Sequence, residues 1–350
     1  MKQIVFVTGS MSRGGAERVI SLLSDYYVKL GWKVSIVMLL HNRVEYTLPA
    51  EVEVLNYSND RIKAALDTPR LICKLRHFVK TRKPDVVAAF MAQNCMVASV
   101  ACQGLKTRLV VSERIDPSAV HRGKLFEAVL NRVYAKADVA VMQTERAKRY
   151  FPQKVQDNSV VIANPIEVKA VAAEQRKHRI VNAGRLTPQK NQKMLMDAFA
   201  ALYKAHPEYS LDIYGEGPLR ETLQQQINEL GMAEAIALRG NVPNIHEQIA
   251  DAEVFVLASN YEGLSNALLE AMMMGLPCIS TNCAGSDEVI RDGENGLLIP
   301  IGDQRALEAA LERLMADRAF ADKLGQTAKE DSKQYSVDCV IAQWRKAIEG

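Results

Sequence analysis

The first forty residues of the chain, MKQIVFVTGSMSRGGAERVISLLSDYYVKLGWKVSIVMLL, decide the class of fold. An apolar run at residues 4–8 passes into a glycine-bearing turn, and an amphipathic stretch at residues 16–30 ends at Gly31. A second apolar run follows at residues 33–40. Short apolar runs bounded by turn residues predict strands, and apolar residues at a helical period predict a helix. The stretch therefore predicts a βαβ unit.

The same alternation continues through the first half of the chain and begins again in the second half. In the first half it predicts helices at residues 69–81 and 94–104 and strands at residues 85–90, 108–112 and 139–142. In the second half it predicts strands at residues 179–183, 210–214, 235–238, 254–258 and 277–281, and helices at residues 191–205, 218–230, 244–250 and 266–274. Alternation of this kind builds parallel sheets covered by helices. The predicted fold class is α/β, with two doubly wound, Rossmann-like domains.

Two domains of similar size are expected, because 350 residues exceed what one ordinary core supports. A polar, charged stretch at residues 169–179 carries no apolar period and predicts the linker, so we expect an N-terminal domain over residues 1–168 and a C-terminal domain over residues 169–335. Residues 336–350 predict an amphipathic helix that packs back on the N-terminal domain. We expect the domains to face each other across a cleft, with ligands at the carboxyl ends of the strands.

The composition predicts a cytoplasmic protein. The sequence has no apolar run of the about 20 residues that a membrane-spanning helix needs, and its first residues predict a buried strand rather than a signal peptide. The six cysteines form no Cys-x-x-Cys pair, and no histidine lies at a zinc-ligand spacing from them. We therefore expect reduced thiols, no metal ion and no other cofactor.

The net charge of +3 is unevenly distributed along the chain. Residues 1–168 carry 25 Lys and Arg against 15 Asp and Glu, a net charge of +10, whereas residues 169–350 carry 19 against 26, a net charge of −7. A basic stretch at residues 61–83 indicates either a contact with an anionic membrane or a lipid diphosphate, or a plain solvated helix face. Nucleic acid is a poorer partner, because aromatic residues make up only 6% of the chain and no recognition module is visible.

Four segments that follow predicted strands carry the residues that could bind a ligand or take part in a reaction. They are GSMSRGGAE at residues 9–17, AGRLTPQKN at residues 183–191, YGEGPL at residues 214–219 and SNYEGLSNALLEAM at residues 259–272. Glycines let a backbone come close to a ligand, and the free N–H groups of a helix start favour an anion. Arg185 and Lys190 suit a diphosphate leaving group, and Glu262 and Glu270 suit the hydroxyl groups of a sugar and a ribose.

Each segment also has a purely structural interpretation. The glycines of the first and third segments are common in tight turns between strands and helices. The cations of the second can be solvated surface charges, and the two glutamates of the fourth can be unrelated. It is the occurrence of all four segments, each directly after a strand, that favours a nucleotide-sugar site.

In this order the segments resemble those of the family-four glycosyltransferases, which are retaining enzymes of the GT-B fold. The motifs are Gly-Gly-Ala-Glu-Arg at residues 14–18, Gly-Arg-Leu-x-Pro-Gln-Lys-Asn at residues 184–191 and Glu-Gly-Leu-Ser-Asn-Ala-Leu-Leu-Glu-Ala at residues 262–271. The resemblance covers essentially the whole chain. It is strongest to bacterial enzymes that extend undecaprenyl-diphosphate-linked oligosaccharides, including N-acetylgalactosaminyltransferases, and to their surface-polysaccharide relatives. It implies that the N-terminal domain binds the acceptor and the C-terminal domain the nucleotide sugar.

The resemblance also implies roles for individual residues. It places Arg185 and Lys190 at the donor diphosphate and Glu262 at the donor sugar as the catalytic groups. It implies further donor contacts from Gly14, Gly15, Gly215, Asn241, Val242, Gly263, Leu264, Ser265, Asn266 and Glu270. Acceptor contacts are expected from Arg13, Glu113 and Arg114. Many relatives carry a histidine where this chain has Arg114, so a mechanism that needs this histidine is in question, and a local Glu113–Arg114 ion pair is the structural alternative.

The implied reaction moves a hexose or N-acetylhexosamine from UDP-GalNAc, UDP-GlcNAc, UDP-Gal or UDP-Glc to a lipid-diphosphate-linked oligosaccharide at the inner face of the cell membrane. The substitution would occur on the front face, with retention, and without a metal ion, since the sequence has no Asp-x-Asp motif. Two alternatives stay open: a UDP-sugar 2-epimerase of the same fold, which would need carboxylates and histidines in the cleft, and a non-catalytic scaffold that binds a nucleotide sugar.

Overall fold

The computed structural model describes residues 1–12, 14–59, 64–115, 117–120, 122–168 and 176–350. The chain forms two compact units. The first unit comprises Met1–Pro165 together with Val337–Gly350, and the second comprises Ile166–Ser336. The boundary predicted after residue 168 lies three residues beyond the observed one.

The first unit is built on a sheet of seven parallel strands. The strands are β1 (Gln3–Thr8), β2 (Lys33–Met38), β3 (Glu53–Asn56), β4 (Val86–Phe90), β5 (Arg108–Ser112), β6 (Val139–Met142) and β7 (Ser159–Val161). They lie in the order β3-β2-β1-β4-β5-β6-β7, so the direction of winding reverses between β1 and β4. In doubly wound folds, the carboxyl ends of the strands at this reversal form the usual ligand site.

Helices cover both faces of this sheet. They are α1 (Gly15–Lys29), α2 (Ala64–Arg82), α3 (Ala92–Cys102), α4 (Lys124–Tyr134), α5 (Glu145–Tyr150) and α6 (Gln153–Gln156). Successive residues of a strand point to opposite faces, and in β1 the four middle residues, 4–7, are all apolar. Val5 and Val7 join one core, while Ile4 and Phe6 join the other. A strand buried on both faces explains the continuous apolar run seen in the sequence.

The second unit repeats the architecture with six parallel strands. The strands are β8 (Lys177–Ala183), β9 (Ser210–Tyr214), β10 (Ile236–Gly240), β11 (Ala252–Leu257), β12 (Cys278–Thr281) and β13 (Leu297–Ile299). Their order is β10-β9-β8-β11-β12-β13, with the reversal between β8 and β11. The helices are α7 (Gln192–Leu202), α8 (Arg220–Glu229), α9 (Ile245–Ile249), α10 (Asn266–Met273), α11 (Ser286–Val289), α12 (Gln304–Ala316) and α13 (Arg318–Ser332).

The C-terminal helix α14 (Val337–Glu349) belongs to the first unit although it follows the second in sequence. Its Trp344 is fully buried and stacks on Phe90 of β4, with the ring centroids 5.3 Å apart. Arg108 of β5 donates from Nη2 to the carbonyl oxygen of Ala347 over 3.2 Å. A bulky aromatic side chain and a hydrogen bond therefore hold α14 on the sheet.

The predicted linker overlaps the second sheet. Residues 169–175 of that linker lie outside the described part of the chain, but β8 begins at Lys177. Lys177 pairs with Ala252 of β11, and its N–H donates to the carbonyl oxygen of Asp251 over 2.7 Å. A backbone bond of this kind needs no apolar side chain, which is why the polar start of β8 was predicted wrongly as linker.

Within the described residues, no helix is both long and apolar enough to cross a lipid bilayer.

Candidate active site

The second unit brings two of the predicted segments together at its strand reversal. The segment at residues 184–191 follows β8, and the segment at residues 258–265 follows β11. Because β8 and β11 are neighbouring parallel strands, both segments leave the same edge of the sheet. The four post-strand segments therefore divide, with three of them in this unit and residues 9–17 in the other.

The centre of this edge is an ion pair between Glu262 and Lys190. The Nζ of Lys190 contacts the Oε1 of Glu262, and Ser259 donates from Oγ to the same oxygen over 2.8 Å. Only 9% of the Glu262 side chain and 16% of the Lys190 side chain are exposed. A buried carboxylate held by an ammonium and a hydroxyl group has little freedom to turn, so it can accept hydrogen bonds from a sugar in a defined geometry.

The two loops that carry this pair are joined through their backbones. Asn260 donates from its N–H to the carbonyl oxygen of Gln189 over 2.8 Å and from Nδ2 to that of Pro188 over 2.9 Å. Gln189 donates from Nε2 to the carbonyl oxygen of Tyr261 over 3.0 Å. Reciprocal bonds between residues some 70 positions apart fix Lys190 relative to Glu262.

The end of β12 and the loop after it support this arrangement, and no pattern in the sequence predicted this support. Thr281 donates from Oγ1 to the carbonyl oxygen of Ser259 over 2.6 Å. Gly285 has φ +83°, and a Cβ atom there would lie 2.5 Å from the carbonyl oxygen of Gly263. Glycine is required at this position both for its left-handed backbone and for the close approach to the Glu262 loop.

Helix α10 begins immediately after this loop. Ser265 caps it, with its Oγ accepting a hydrogen bond from the N–H of Leu268 over 3.4 Å, and Asn266 is its first residue. Leu264 is buried, which anchors the loop in the unit. The N-terminus of α10 therefore starts beside Glu262, and its partial positive charge favours an anion at this point.

A polar pocket lies on the other side of the β8 loop. It has a volume of about 370 Å³. Four of the predicted donor-binding residues line it, namely Arg185, Gly215, Asn241 and Val242. A cavity of a few hundred Å³ with a small number of polar groups is typical of a small-molecule site.

Glycines form the wall of this pocket for a steric reason. Gly215 has φ +134°, and a Cβ atom there would overlap the carbonyl oxygen of Gly184. A Cβ atom at Gly217 would likewise overlap the carbonyl oxygen of Leu186. The β8 and β9 loops are therefore in direct backbone contact, which confirms that residues 214–219 form a tight connection as well as part of the pocket wall.

Glu270 lies on α10, and one residue in contact with it is a histidine that the sequence did not single out. The Nε2 of His246 is 3.4 Å from the Oε2 of Glu270, and 17% and 18% of the two side chains are exposed. His246 follows Ile245, which lines the pocket. The only sequence signal for His246 is its position shortly after β10.

In the first unit, Gly14 and Gly15 stand at the start of α1. Gly14 has an extended backbone, with φ −166°, which any residue adopts, so its backbone does not require glycine. Tyr46 accepts a hydrogen bond from the N–H of Gly14 and donates one to its carbonyl oxygen over 2.9 Å. The carboxyl group of Glu17 lies over Gly14, and burial raises its pKa. The start of α1 therefore has an acidic side chain beside it. Arg13, a predicted acceptor contact, lies outside the described residues.

The structure contradicts the alternative of a local Glu113–Arg114 ion pair. Glu113 pairs with Arg122, Nη1 to Oε2 over 3.0 Å, and accepts a hydrogen bond from the hydroxyl group of Tyr134. Arg114 donates to the carbonyl oxygen of Ile162 over 3.1 Å and to the side chain of Asn164. Both residues are buried, and burial lowers the pKa of Arg114 to about 10. Their partners come from other parts of the sequence, so spacing did not predict them.

The basic stretch of the first unit is also partly engaged in internal contacts. Arg70 pairs with Asp67, and Arg76 donates to the carbonyl oxygens of Ala101 and Gln103 over 2.9 and 2.8 Å. The predicted cations at residues 61 and 63 lie outside the described part of the chain. Part of the positive charge of α2 therefore stabilises the unit itself.

The chain has two doubly wound parallel sheets. One of them carries the Glu262–Lys190 ion pair at its strand reversal and a polar pocket beside it. Two sheets of this kind define the GT-B class of architecture. A solved structure with the same fold is Anabaena Alr3699/HepE in complex with UDP, with a TM-score of 0.83, 19% identity and 99% of each chain covered. Two family models match consecutive parts of the chain. Glycosyltransferase Family 4 matches residues 13–170, and Glycosyl transferases group 1 matches residues 164–331. The chain therefore belongs to the glycosyltransferases that these two family models describe.

Two curated proteins of Campylobacter jejuni are similar to the chain over almost its full length. The first is a GalNAc-alpha-(1->4)-GalNAc-alpha-(1->3)-diNAcBac-PP-undecaprenol alpha-1,4-N-acetyl-D-galactosaminyltransferase, 28% identical over 99% of this chain and 98% of that protein. The second is an N-acetylgalactosamine-N,N'-diacetylbacillosaminyl-diphospho-undecaprenol 4-alpha-N-acetylgalactosaminyltransferase, 27% identical over 95% of this chain and 94% of that protein. Both relatives extend lipid-linked glycans, as their names state.

Proposed function

We propose that the protein is a retaining, metal-independent glycosyltransferase that moves a hexose or N-acetylhexosamine from a UDP-sugar to a lipid-diphosphate-linked oligosaccharide. The observation that carries the proposal is the buried Glu262–Lys190 pair at the strand reversal, beside the pocket lined by Arg185. The UDP in the similar Anabaena structure and the lipid-diphosphate acceptors of the Campylobacter relatives support this choice of donor and acceptor.

The donor diphosphate is proposed to lie between the pocket and the start of α10. Arg185 lines the pocket and has an exposed side chain, so its guanidinium group is available for a bidentate contact with a phosphate. Lys190 and the N-terminus of α10 lie on the sugar side, next to Glu262. The uracil and ribose would occupy the pocket, near Asn241 and Val242.

Catalysis in this proposal is mainly stabilisation of the leaving group. As the bond between the sugar and UDP breaks, negative charge grows on the diphosphate, and Arg185, Lys190 and helix N–H groups stabilise it. Glu262 accepts hydrogen bonds from sugar hydroxyl groups and keeps one face open to the acceptor. Loss of a single such contact costs about 2.7–4 kcal/mol of barrier by analogy with oxyanion-hole donors.

The proposed place of action is the inner face of the cell membrane, with peripheral contact between the protein and anionic lipid. The net charge of +10 over residues 1–168 supports this proposal. The cations of α2 that have internal partners, such as Arg70 and Arg76, would contribute less than the exposed Lys80 of α2 and the exposed Lys83 just after it.

The direct test is turnover with a panel of UDP- and GDP-sugars in EDTA, with and without a lipid-diphosphate-linked oligosaccharide. We expect release of UDP from one UDP-sugar only when the acceptor is present. Glu262→Ala and Lys190→Ala should each lower kcat by about 100-fold or more, since each removes a contact at the reacting sugar. Lys193→Ala, which removes an exposed cation three residues from Lys190, is the matched control and should be as active as the unaltered protein.

The same reaction tests the stereochemistry. Proton NMR of the product should show an α linkage from an α-linked donor, whereas a β linkage would exclude a retaining mechanism. Tight binding of UDP without turnover on any acceptor would favour the scaffold. Interconversion of the free UDP-sugar would favour the 2-epimerase.

A further inference from the structure

His246 lies where two short elements of the donor site meet. It is the second residue of α9, directly after Ile245 of the pocket wall, and its ring faces Glu270 of α10. Both side chains are more than four-fifths buried. The contact therefore bridges the nucleotide pocket and the helix whose N-terminus lies beside Glu262.

The geometry of the contact shows that it is not yet a hydrogen bond. The separation between Nε2 of His246 and Oε2 of Glu270 is 3.4 Å, which is longer than an ordinary hydrogen bond of this type. Nε2 is also fully buried and has no hydrogen-bond partner among the described residues. A buried ring nitrogen without a partner is unfavourable, and contacts of this kind commonly shorten when the ligand binds.

We propose that His246 is a positioning residue for the ribose of the donor nucleotide. It holds the Glu270 carboxylate in one rotamer at the edge of the pocket, so that this carboxylate accepts hydrogen bonds from the 2′- and 3′-hydroxyl groups. A glutamate side chain loses up to about 2 kcal/mol of rotamer entropy when it is fixed, and a neighbour that fixes it beforehand removes that cost from binding. The inference rests on the proposed function, which places the ribose at Glu270.

The test separates ribose recognition from general stability by comparing two ligands. Calorimetric titration measures the affinity of UDP and of 2′,3′-dideoxy-UDP for the unaltered protein, His246→Ala, Glu270→Ala and the double variant. His246→Ala should weaken UDP binding about tenfold, the size of one hydrogen bond to a charged group, and leave dideoxy-UDP binding unchanged. The double variant should lose no more than Glu270→Ala alone, and His246→Gln, which keeps an N–H donor, should recover part of the affinity.

The matched control is His206→Ala. His206 has the same 18% side-chain exposure as Glu270 and also contacts a glutamate, Glu312, over 2.9 Å, but it lies beyond the end of α7. This control should bind both nucleotides normally, and thermal unfolding should show all variants folded.

Three outcomes would overturn the inference. An equal loss of affinity for UDP and dideoxy-UDP would show that His246 only supports the fold of the pocket. Unchanged UDP affinity in His246→Ala would show that it positions nothing. Failure of the unaltered protein to bind UDP would instead reject the proposed function, and the inference with it.

Discussion

At the scale of single residues, Arg114 has a structural role that its position in the sequence conceals. It follows a strand that ends in the first unit, where the sequence predicts an acceptor contact, yet its guanidinium group bonds to Ile162 and Asn164, 48 and 50 positions away. Trp344 of α14 lies 6.0 Å from it, ring centroid to guanidinium carbon. One arginine therefore links β5, the segment after β7 and the C-terminal helix.

This arrangement predicts that Arg114→Ala mainly destabilises the first unit. Removing the guanidinium group leaves the buried carbonyl oxygen of Ile162 and the amide of Asn164 without a charged donor. Each lost bond to a charged group is worth about 1.5–3 kcal/mol, so the free energy of unfolding should fall by about 3 kcal/mol or more. Urea denaturation measures this free energy. Arg132→Ala, which truncates an exposed arginine, is the control. Unchanged stability combined with lost acceptor turnover would show instead that Arg114 contacts the acceptor.

The pocket wall provides a second prediction at this scale. Gly215→Ala should destabilise the second unit by about 3 kcal/mol or more, because the new Cβ atom overlaps the carbonyl oxygen of Gly184 and the backbone has positive φ. Gly231 also has a positive φ, but a Cβ atom there would have no neighbour within 4 Å. Gly231→Ala should therefore lower the free energy of unfolding by only about 1 kcal/mol. Thermal unfolding of the two variants checks the difference. Equal decreases in Tm for the two variants would mean that the contact between the β8 and β9 loops relaxes freely.

At the scale of elements, α14 contributes to a unit from which it is separated by the whole second domain. Its apolar residues Val340, Trp344 and Ile348 are four positions apart and all buried, which is the pattern of a helix packed on one face. This periodicity was visible in the sequence, whereas the specific partners, Phe90 and Arg108, were not.

Trp344→Ala should therefore lower the free energy of unfolding of the first unit by about 3–5 kcal/mol, the usual cost of truncating a buried aromatic residue. Arg345→Ala, at the exposed neighbouring position, should change it by less than about 0.5 kcal/mol. Chemical denaturation of both variants, followed by fluorescence and circular dichroism, measures the effect. A small shift for Trp344→Ala would mean that α14 is dispensable for the first unit.

The elements that the sequence predicted share a physical feature. The central strands β1, β4 and β11 are buried on both faces and appear as largely apolar runs, and β8 does so after its polar start, so the α/β class and the Rossmann-like pattern were predicted correctly. The outer strands β3 and β7 contain at most one buried residue each and are only four and three residues long, and the sequence did not predict them. The prediction also omitted α4, α12 and α13, although each has a buried apolar face.

The same distinction applies to the candidate site. The resemblance to the family implied donor contacts from Arg185, Gly215, Asn241 and Val242, and the fold gathers these four residues in one pocket. The contacts that hold these loops in place, from Thr281, Gly285 and His246, depend on which strands and helices become neighbours. Such tertiary contacts leave no periodic signal in the sequence.

At the scale of the whole molecule, the six cysteines predict how the folded protein reacts with thiol reagents. Cys73 and Cys339 are exposed, and the other four are buried. Burial raises the pKa of Cys95 and Cys102 to about 12 and raises that of Cys278 and Cys283 as well, so these thiols stay protonated at pH 8. A thiol titration at pH 8 should count two fast groups in the native protein and six after unfolding. Rapid reaction of a third thiol would show that one of the cores opens readily.

Calorimetric titration of UDP in EDTA tests whether this pocket binds the donor nucleotide, and it requires neither the sugar nor the acceptor to be known. We predict one site per chain and a loss of affinity of about tenfold or more in Arg185→Ala, which removes a cation from the pocket wall, but not in Arg305→Ala, which removes an exposed cation from α12. Absence of binding, or equal affinity for UDP in both variants, would contradict the placement of the donor nucleotide in this pocket.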